Sequence, residues 1–245
     1  YLENKNWIRS IRSFIKRLHW HCHFIQKLED EPTIEFKNMH NLYDGLRENS
    51  LNEKFFLAWK DGLTGYPFLD ACMRSLKTNG WINFRMRAML ISFASYQLWL
   101  HWKPTADFLA SLFIDFEPGI HYAQAQMQSG TTGINRIRIY NPIKQGKDHD
   151  PKGLFIKKWV PELSDISEKF IHTPWLSKVK LKNYPLPLVD EKVARTEAAR
   201  KIYAIRNSKK FAMQSKNIYL KHGSRKNSFR KKNKSEKIFG AIKQL

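Results

Sequence analysis

Apolar residues recur at helical spacing in a series of long segments, and β-branched runs with strict alternation are almost absent. A period of 3.6 residues is typical of amphipathic helices, whereas a period of two is typical of strands. The sequence therefore predicts an all-α fold. Asn6 is a candidate N-cap of the first helix, and Pro104 lies in the opening turn of the fifth. The predicted helices lie near residues 6–29, 51–61, 67–78, 81–102, 104–113 and 190–204.

Two segments lack this periodicity. Residues 116–154 are rich in Gly, Pro and amide side chains, which indicates a long ordered loop at a site rather than a helix. Residues 208–237 are polar and basic with few apolar residues, and such a composition is typical of a partly disordered chain. No internal repeat with a period of 20–50 residues is present.

Basic residues outnumber acidic ones by 43 to 22, which gives a formal net charge of +21. Such an excess is costly to hold together without a polyanion or an anionic surface as a partner, so nucleic acid is the first candidate. Residues 200–245 contain 15 Lys or Arg and one acid, Glu236. The remainder of the chain is only mildly basic.

Cysteine usage and hydropathy bear on the compartment. Cys22 and Cys72 have no metal-ligand spacing and are expected to be reduced thiols in a cytoplasmic protein, or a nuclear one in a eukaryote. The chain begins with Tyr1 and shows no secretory leader pattern. The apolar run 88–102 is interrupted by polar residues and is shorter than the ~20 residues of a membrane span. We therefore expect a buried helix there and no membrane association.

Arg85 and Arg87 lie beside this apolar run, where an unpaired guanidinium would be expensive. Asp115 and Glu117 lie at the start of the Gly-rich segment and are the acids expected to pair with them. Two Arg–carboxylate pairs beside aromatic residues can frame a planar, polar cofactor. The alternative is a helix-to-loop salt bridge without a ligand.

Motifs of hydrolysis and phosphoryl transfer are absent, since no phosphate-binding Gly loop, nucleophile elbow or HExxH sequence occurs. Three His alternate around Trp20, and on a helix this spacing spreads the rings around the axis, so no metal site is expected. Four Trp cluster around the central helices: Trp59, Trp81, Trp99 and Trp102. Core packing is the more common explanation of buried Trp, and electron transfer is the alternative.

The run from Leu63 to Arg74 reads LTGYPFLDACMR and resembles the TGYPxxDAxMRxL signature of the photolyase/cryptochrome family. Gly80-Trp81 and the two Arg of the next helix follow at the family's spacing. Further segments resemble other family motifs, and the resemblance spans residues 17–190. These segments are residues 98–102, 114–115, 137–142, 155–163, 172–175 and 184–190.

The resemblance implies an all-helical FAD-binding domain over residues 1–190, N-terminally incomplete, with FAD as the cofactor. Residues 191–245 are expected to form a basic C-terminal extension with one helix followed by a disordered stretch. The family's α/β antenna domain and its upstream diphosphate-binding hydroxyls are not visible in the sequence, so the antenna chromophore is unknown. A monomer is expected.

By position, the resemblance implies that Arg87 pairs with Asp115 beside the flavin ring. Arg85 and Glu117 would serve the cofactor's polar edge and ribityl region. Trp81 would line the pocket.

Trp20 matches the aromatic residue that flanks the family's lesion cavity, and Met127 stands where a second Trp contacts the damaged base. Both are expected to contact the lesion. His121 stands where repair enzymes of the family usually place an Asn facing flavin N5. A neutral imidazole can still donate one hydrogen bond there, and His121 is also a candidate acid.

The electron-transfer chain and the lesion contacts depart from the family pattern. Ala125 replaces the flavin-proximal Trp, Trp102 keeps the middle position, and Trp99 offers another route. Phe84 and Ala88 replace the Asn and Met typical of cyclobutane-dimer photolyases. They equally replace the two His characteristic of (6-4) photolyases.

The resemblance implies a deoxyribodipyrimidine photolyase, a blue-light-driven lyase in which reduced FAD passes an electron to a flipped-out cyclobutane pyrimidine dimer in DNA. The basic charge favours repair over signalling. Two alternatives stay open: a cryptochrome-like blue-light photoreceptor, and a flavin-free DNA-binding protein on a decayed photolyase fold.

Overall fold

The structure is a computed structural model that describes residues 5–49, 52–179, 181 and 183–223. This part of the chain contains ten α-helices and no strand, which confirms the predicted all-α fold. The helices are α1 (Lys5–Asp30), α2 (Glu53–Asp61), α3 (Pro67–Asn79), α4 (Phe84–Ser92), α5 (Trp102–Ala110), α6 (Pro118–Ser129), α7 (Pro142–His149), α8 (Leu154–Trp159), α9 (Glu191–Arg206) and α10 (Lys209–His222).

Polar side chains and glycines fix where these helices begin and end. Asn83 accepts a hydrogen bond from the Met86 amide at 3.2 Å and starts α4, because an N-cap side chain satisfies an amide that lacks a helical partner. Gly62, Gly80 and Gly130 close α2, α3 and α6 in the left-handed conformation, which glycine adopts without steric cost. Further N-caps are Asn52, Glu117, Asn141, Asp190 and Ser208.

The single helix predicted over 81–102 is divided. Helix α4 ends at Ser92, and a π-helical turn over Phe93–Gln97 follows it. Trp99 then takes a φ of 54°, which a helix cannot continue through. The break places Trp99 outside α5. The prediction of one continuous helix that contains both Trp99 and Trp102 is therefore wrong. Asn6 lies inside α1 rather than at its start, whereas Pro104 does lie in the first turn of α5.

The long loop predicted over 116–154 is wrong, because this segment contains helices α6 and α7. Its prolines and glycines mark helix ends: Pro118 and Pro142 occupy first helical turns and Gly130 ends α6. Gly119 has a packing role, since a Cβ there would lie 3.0 Å from the Phe24 carbonyl oxygen of α1. The glycine lets α6 pack closely against α1.

The basic extension was expected to contain one helix, but its described part contains two, α9 and α10. Phe211 of α10 is buried and stacks on the His40 ring with 4.1 Å between ring centroids. At the other end of α10, Lys221 donates at 2.7 Å to Glu31, the residue that follows α1. The disorder predicted from residue 208 is therefore wrong for residues 209–222, while residues 224–237 lie outside the described residues.

The signature run around Asp70 holds two distant segments together. The fully buried Asp70 carboxylate accepts hydrogen bonds from the Thr64 amide at 2.9 Å and hydroxyl at 2.6 Å, and from the Tyr184 hydroxyl at 2.6 Å. Gly65 has a φ of +80°, and a Cβ there would lie 2.4 Å from the Leu186 carbonyl oxygen. The motif thus anchors the segment that leads into α9.

Candidate functional site

A cavity of about 140 Å³, termed here the Arg87 pocket, opens between α4 and the start of α6. Its walls combine aromatic rings, aliphatic side chains, two amides and the Arg87–Asp115 pair. The lining residues are Phe84, Arg87, Ala88, Ile91, Phe113, Asp115, Phe116, Glu117, Ile120, His121, Gln124 and Gln128. Apolar walls with a few fixed polar groups are typical of cofactor sites.

Arg87 is held at three points. Its Nη2 donates to Asp115 Oδ2 at 2.9 Å, and its Nε donates to the Ile82 carbonyl oxygen at 2.8 Å. Its guanidinium carbon lies 4.1 Å from the centre of the Phe113 ring, within cation–π distance. The Arg87–Asp115 pair expected from the sequence is therefore present, and its guanidinium is fixed before any ligand arrives.

The Asp115 side chain is 47% exposed, so this ion pair is only partly desolvated. Ion pairs of this kind are worth about 1 kcal/mol or less, because water screens the charges. The second oxygen, Oδ1, has no partner among the described residues. It is available to accept a hydrogen bond from a ligand.

The expected second pair, between Arg85 and Glu117, is not formed. Arg85 is exposed and has no carboxylate partner within the described chain. The Glu117 carboxylate instead caps α6, where its oxygens accept from the Gly119 amide at 3.1 Å and the Ile120 amide at 2.8 Å. Since side chains two residues apart on a helix point in different directions, Arg85 does not share the position of Arg87.

His121 of α6 is buried against the floor of the Arg87 pocket, and its Nε2 lies 2.8 Å from the Ala106 carbonyl oxygen. Burial lowers its pKa, so the ring is neutral at neutral pH. A neutral ring that donates from Nε2 has only a lone pair on Nδ1. The expectation that this imidazole donates a hydrogen bond into the pocket is therefore wrong: it can only accept there.

The other predicted site residues are spread over three environments. Phe84 lines the Arg87 pocket and is largely exposed. Trp81 is also exposed but does not line this cavity, and Met127 is half-buried outside it. Trp20 lines a different cavity between α1 and α10. The structure does not bring Trp20 and Met127 into the Arg87 pocket.

Two amide side chains of the pocket were not predicted. Gln124 and Gln128 lie one turn apart on the same face of α6 as His121, and they touch each other at 3.4 Å. The signal in the sequence was the i, i+3, i+7 spacing of His121, Gln124 and Gln128. Reading this segment as a loop hid that spacing.

The two tryptophans predicted for electron transfer have contrasting surroundings. Trp102 is fully buried and its Nε1 donates to the Asn38 side chain at 2.8 Å. The Trp99 ring lies between two cations, with Arg47 at 4.5 Å and Lys201 at 4.6 Å from its centre. A positive charge on Trp99 would be repelled by both neighbours.

The part of the chain that the structure describes contains neither a cluster of metal ligands nor a membrane-spanning helix. No group of three or more His, Cys, Asp or Glu side chains lies close enough to hold a metal ion. None of the described helices has the length and apolar character that crossing a bilayer requires.

The all-helical fold and the Arg87 pocket define a class: a helical domain with an aromatic-lined cavity beside a fixed cation–carboxylate pair. The chain belongs to the family of the FAD binding domain of DNA photolyase, whose model matches residues 14–204. The match runs past residue 190 and through most of α9. FAD is the cofactor of this family.

Individual relatives agree with this assignment. A deoxyribodipyrimidine photo-lyase of Streptomyces griseus is 35% identical over 195 residues, covering 77% of this chain and 42% of the relative. A (6-4)DNA photolyase of Oryza sativa is 33% identical over 157 residues, covering 60% of this chain and 28% of the relative. A crystal structure of a class III photolyase from Agrobacterium tumefaciens is 31% identical with a TM-score of 0.73, covering 82% of this chain and 44% of that one. The chain thus spans less than half the length of these relatives.

The residues of the Arg87 pocket fit one part of FAD. A ring with polar edges matches the exposed Phe84 and Phe116 rings, the fixed Arg87 guanidinium and the available Asp115 oxygen. The cavity of about 140 Å³ is smaller than the ~300 Å³ at which ligand pockets usually begin, so it encloses only part of a cofactor of this size.

Proposed function

We propose that this chain is the flavin-holding part of a monomeric photolyase that repairs cyclobutane pyrimidine dimers in DNA with blue light. The observation that carries the proposal is the Arg87–Asp115 pair, fixed by Ile82 and Phe113 at the mouth of an aromatic pocket. Family membership and the photolyase relatives support it. The positive net charge suits a DNA partner.

The residues of the pocket would bind and orient the cofactor. The Arg87 guanidinium would offer a positive charge that is held in place by Asp115 and Ile82, and Asp115 Oδ1 would accept a hydrogen bond from the ring's polar edge. Phe84 and Phe116 cover apolar ring surface and exclude water. FAD, when bound, supplies the electron for the reaction. Fixed dipoles and charges in a partly dry site cost little reorganisation when charge moves.

The type of lesion can be inferred from the side chains of the pocket that could donate a proton. Repair of a (6-4) photoproduct needs a proton as well as an electron, and neither Phe84 nor Ala88 can supply one. Burial keeps His121 neutral, and its Nε2 is already engaged with Ala106. Opening a cyclobutane dimer needs only the electron and a cavity that holds the flipped-out dimer. These observations favour the cyclobutane dimer.

The test is illumination of the full-length protein with reduced flavin and two oligonucleotides, one bearing each lesion. We expect repair of the cyclobutane dimer and none of the (6-4) product. Repair of the (6-4) product alone would overturn the lesion assignment. Stoichiometric flavin with no repair of either lesion would favour the cryptochrome-like alternative. DNA binding without flavin would favour the decayed-fold alternative.

A matched pair of variants connects the activity to the site. Asp115→Asn removes the carboxylate beside Arg87, whereas Asp61→Asn removes an equally exposed partner of Lys77 that does not line the pocket. We expect the first variant to lose flavin and repair together and the second to keep both. Equal behaviour of the two variants would contradict the proposed site.

A further inference from the structure

Arg47 precedes α2, and its side chain is enclosed between the turn that follows α4 and the end of α6. Only 1% of its surface is exposed. Its Nη1 donates to the Ser129 carbonyl oxygen at 3.0 Å, while Nε and Nη2 are buried and have no hydrogen-bond partner among the described residues. A guanidinium in these surroundings is costly, because burial removes the water that stabilises its charge.

Aromatic rings lie around this guanidinium. Its central carbon is 4.5 Å from the centre of the Trp99 ring and 5.4 Å from that of the Tyr96 ring. Such cation–π contacts attract the charge and offset part of the cost of burial. A ring face is nevertheless a poor hydrogen-bond acceptor compared with an oxygen atom or an anion. The N–H groups on Nε and Nη2 therefore still lack a strong acceptor.

A second guanidinium and two phenol hydroxyls lie near the first. Tyr43 and Tyr96 are buried, and each hydroxyl is within electrostatic range of Arg47 and of Arg206, the last residue of α9. Arg206 donates from Nη2 to the Asn135 carbonyl oxygen at 3.1 Å and forms no ion pair with a carboxylate of the described residues. Burial raises the pKa of both phenols, so both hydroxyls keep their protons and can donate. The two arginines and the two tyrosines are termed here the Arg47 cluster.

Donors outnumber acceptors in the Arg47 cluster, because a guanidinium has no acceptor atom. The acids of this region, Asp44 and Glu48, are exposed. Glu48 accepts from the Arg47 backbone amide at 2.9 Å, and its side chain lies 3.7 Å from His101. Burial lowers the pKa of His101, so this ring is neutral and adds no charge. Water screens exposed carboxylates, so they compensate the buried guanidinium only in part.

We propose that the Arg47 cluster binds a small monovalent anion such as chloride, held by Arg47, the two phenol hydroxyls and Arg206. A water molecule accepts fewer hydrogen bonds than a halide ion and carries no charge to offset the guanidiniums. A monovalent ion is favoured over a divalent one, because the cost of removing an ion from water rises with the square of its charge. The ion joins the segment before α2 to the end of α9. None of its ligands lines the Arg87 pocket, so binding is independent of flavin and light.

The experiment uses the full-length flavin-bound protein labelled with 5-fluorotryptophan and observed in the dark by fluorine NMR. The Trp99 ring contacts Arg47, so its resonance reports on the cluster, and it is assigned by its loss in Trp99→Phe. Sodium chloride replaces sodium gluconate at constant ionic strength, so the screening of surface charges does not change during the titration. We expect a saturable shift of the Trp99 resonance that fits a single chloride site.

Two cations on the Trp99 ring give a matched comparison. Arg47→Met removes the buried guanidinium at 4.5 Å from the ring centre, whereas Lys201→Met removes an ammonium at 4.6 Å that is half-buried and pairs with Glu197. We expect the first variant to abolish the saturable shift. The second should keep the chloride affinity within about twofold, because a half-buried, paired ammonium contributes little to a site that it does not enter.

Tyr96→Phe keeps the proposal testable if Arg47→Met does not fold, since it removes one hydroxyl and preserves the shape of the ring. Its chloride affinity should be lower by about fivefold, the equivalent of one hydrogen bond. An affinity unchanged in Tyr96→Phe would overturn the proposal. So would the absence of a saturable shift in the wild type, or a shift that is lost in Lys201→Met and kept in Arg47→Met.

Discussion

The substitution Lys27→Met measures the cost of the charge that α1 buries beside α10. Lys27 is nearly enclosed and has no carboxylate partner among the described residues. Burial lowers its pKa from 10.5 to about 8. The unfolded chain therefore binds the proton more tightly, and protonated Lys27 destabilises the folded protein. The cost is complete below about pH 8 and fades as the pH rises towards 10.5.

The magnitude follows from the difference between the two pKa values. That difference corresponds to about 3 kcal/mol at neutral pH. We expect a gain of about 2 kcal/mol in Lys27→Met, because the ammonium borders an open cavity and keeps some water. At pH 9.5 the gain should fall to about 1 kcal/mol, since the folded lysine is then mostly neutral. Methionine keeps a similar apolar stem on the Phe24 ring.

Urea unfolding at pH 7 and pH 9.5 is the assay, with the free energy of unfolding compared between wild type and variant. The control is Lys221→Met, which removes an exposed partner of Glu31 and should change stability by about 0.5 kcal/mol or less. A loss of stability in Lys27→Met at pH 7 would refute the reasoning. So would a gain of the same size at both pH values, because only an ionisation cost depends on pH in this way.

Three further predictions concern the flavin and the extension. Asp115→Ala should weaken FAD binding, measured by fluorescence. It should also lower the free energy of unfolding by about 1 kcal/mol, because water screens the half-exposed ion pair. The control Asp61→Ala should leave FAD affinity unchanged. Photoreduction of oxidised flavin, followed by absorbance, should slow more in Trp102→Phe than in Trp99→Phe, because two cations oppose a positive charge on Trp99; equal rates would count against this. Deletion of residues 224–245, which hold eight Lys or Arg, should flatten the salt dependence of binding to undamaged DNA, and an unchanged slope would assign them another role.

Sequence patterns predicted the fold class because helical periodicity is a local property. It can be recognised in the sequence without any information on tertiary contacts. The predicted helix over 67–78 agrees with α3, and the one over 190–204 agrees with α9, to within a residue or two. The same rules failed for residues 116–154, where prolines and glycines were read as loop signals. They are helix boundary signals there, and Glu117 and Asn141 supply the N-caps.

The sequence predicted one contact of the candidate site, the pairing of Arg87 with Asp115. It did not predict which of the two neighbouring arginines is exposed to solvent. Arg87 and Asp115 are paired as expected, yet Arg85 differs from Arg87 only by two positions on α4 and faces solvent. No local pattern separates the two guanidiniums. Likewise, the contact between Glu31 and Lys221, beside the cavity that Trp20 lines, joins residues 190 positions apart. Such a contact is fixed by the packing of α10, which composition alone described as disordered.

His121→Leu tests which hydrogen-bonding role the pocket floor offers to a cofactor. The neutral ring engages Ala106 through Nε2, so only a lone pair on Nδ1 remains for the pocket. The family resemblance puts this residue beside flavin N5, which carries a hydrogen in the reduced cofactor and none in the oxidised one. An acceptor there stabilises the reduced form. Its removal should lower the two-electron midpoint potential of the flavin by about 20 mV, the equivalent of one hydrogen bond of about 1 kcal/mol. Spectroelectrochemical titration of wild type, His121→Leu and His121→Asn measures this, and Asn, whose side-chain oxygen can also accept, should restore the potential. A potential that rises in His121→Leu would show that the ring donates to the flavin and that its tautomer is the opposite one.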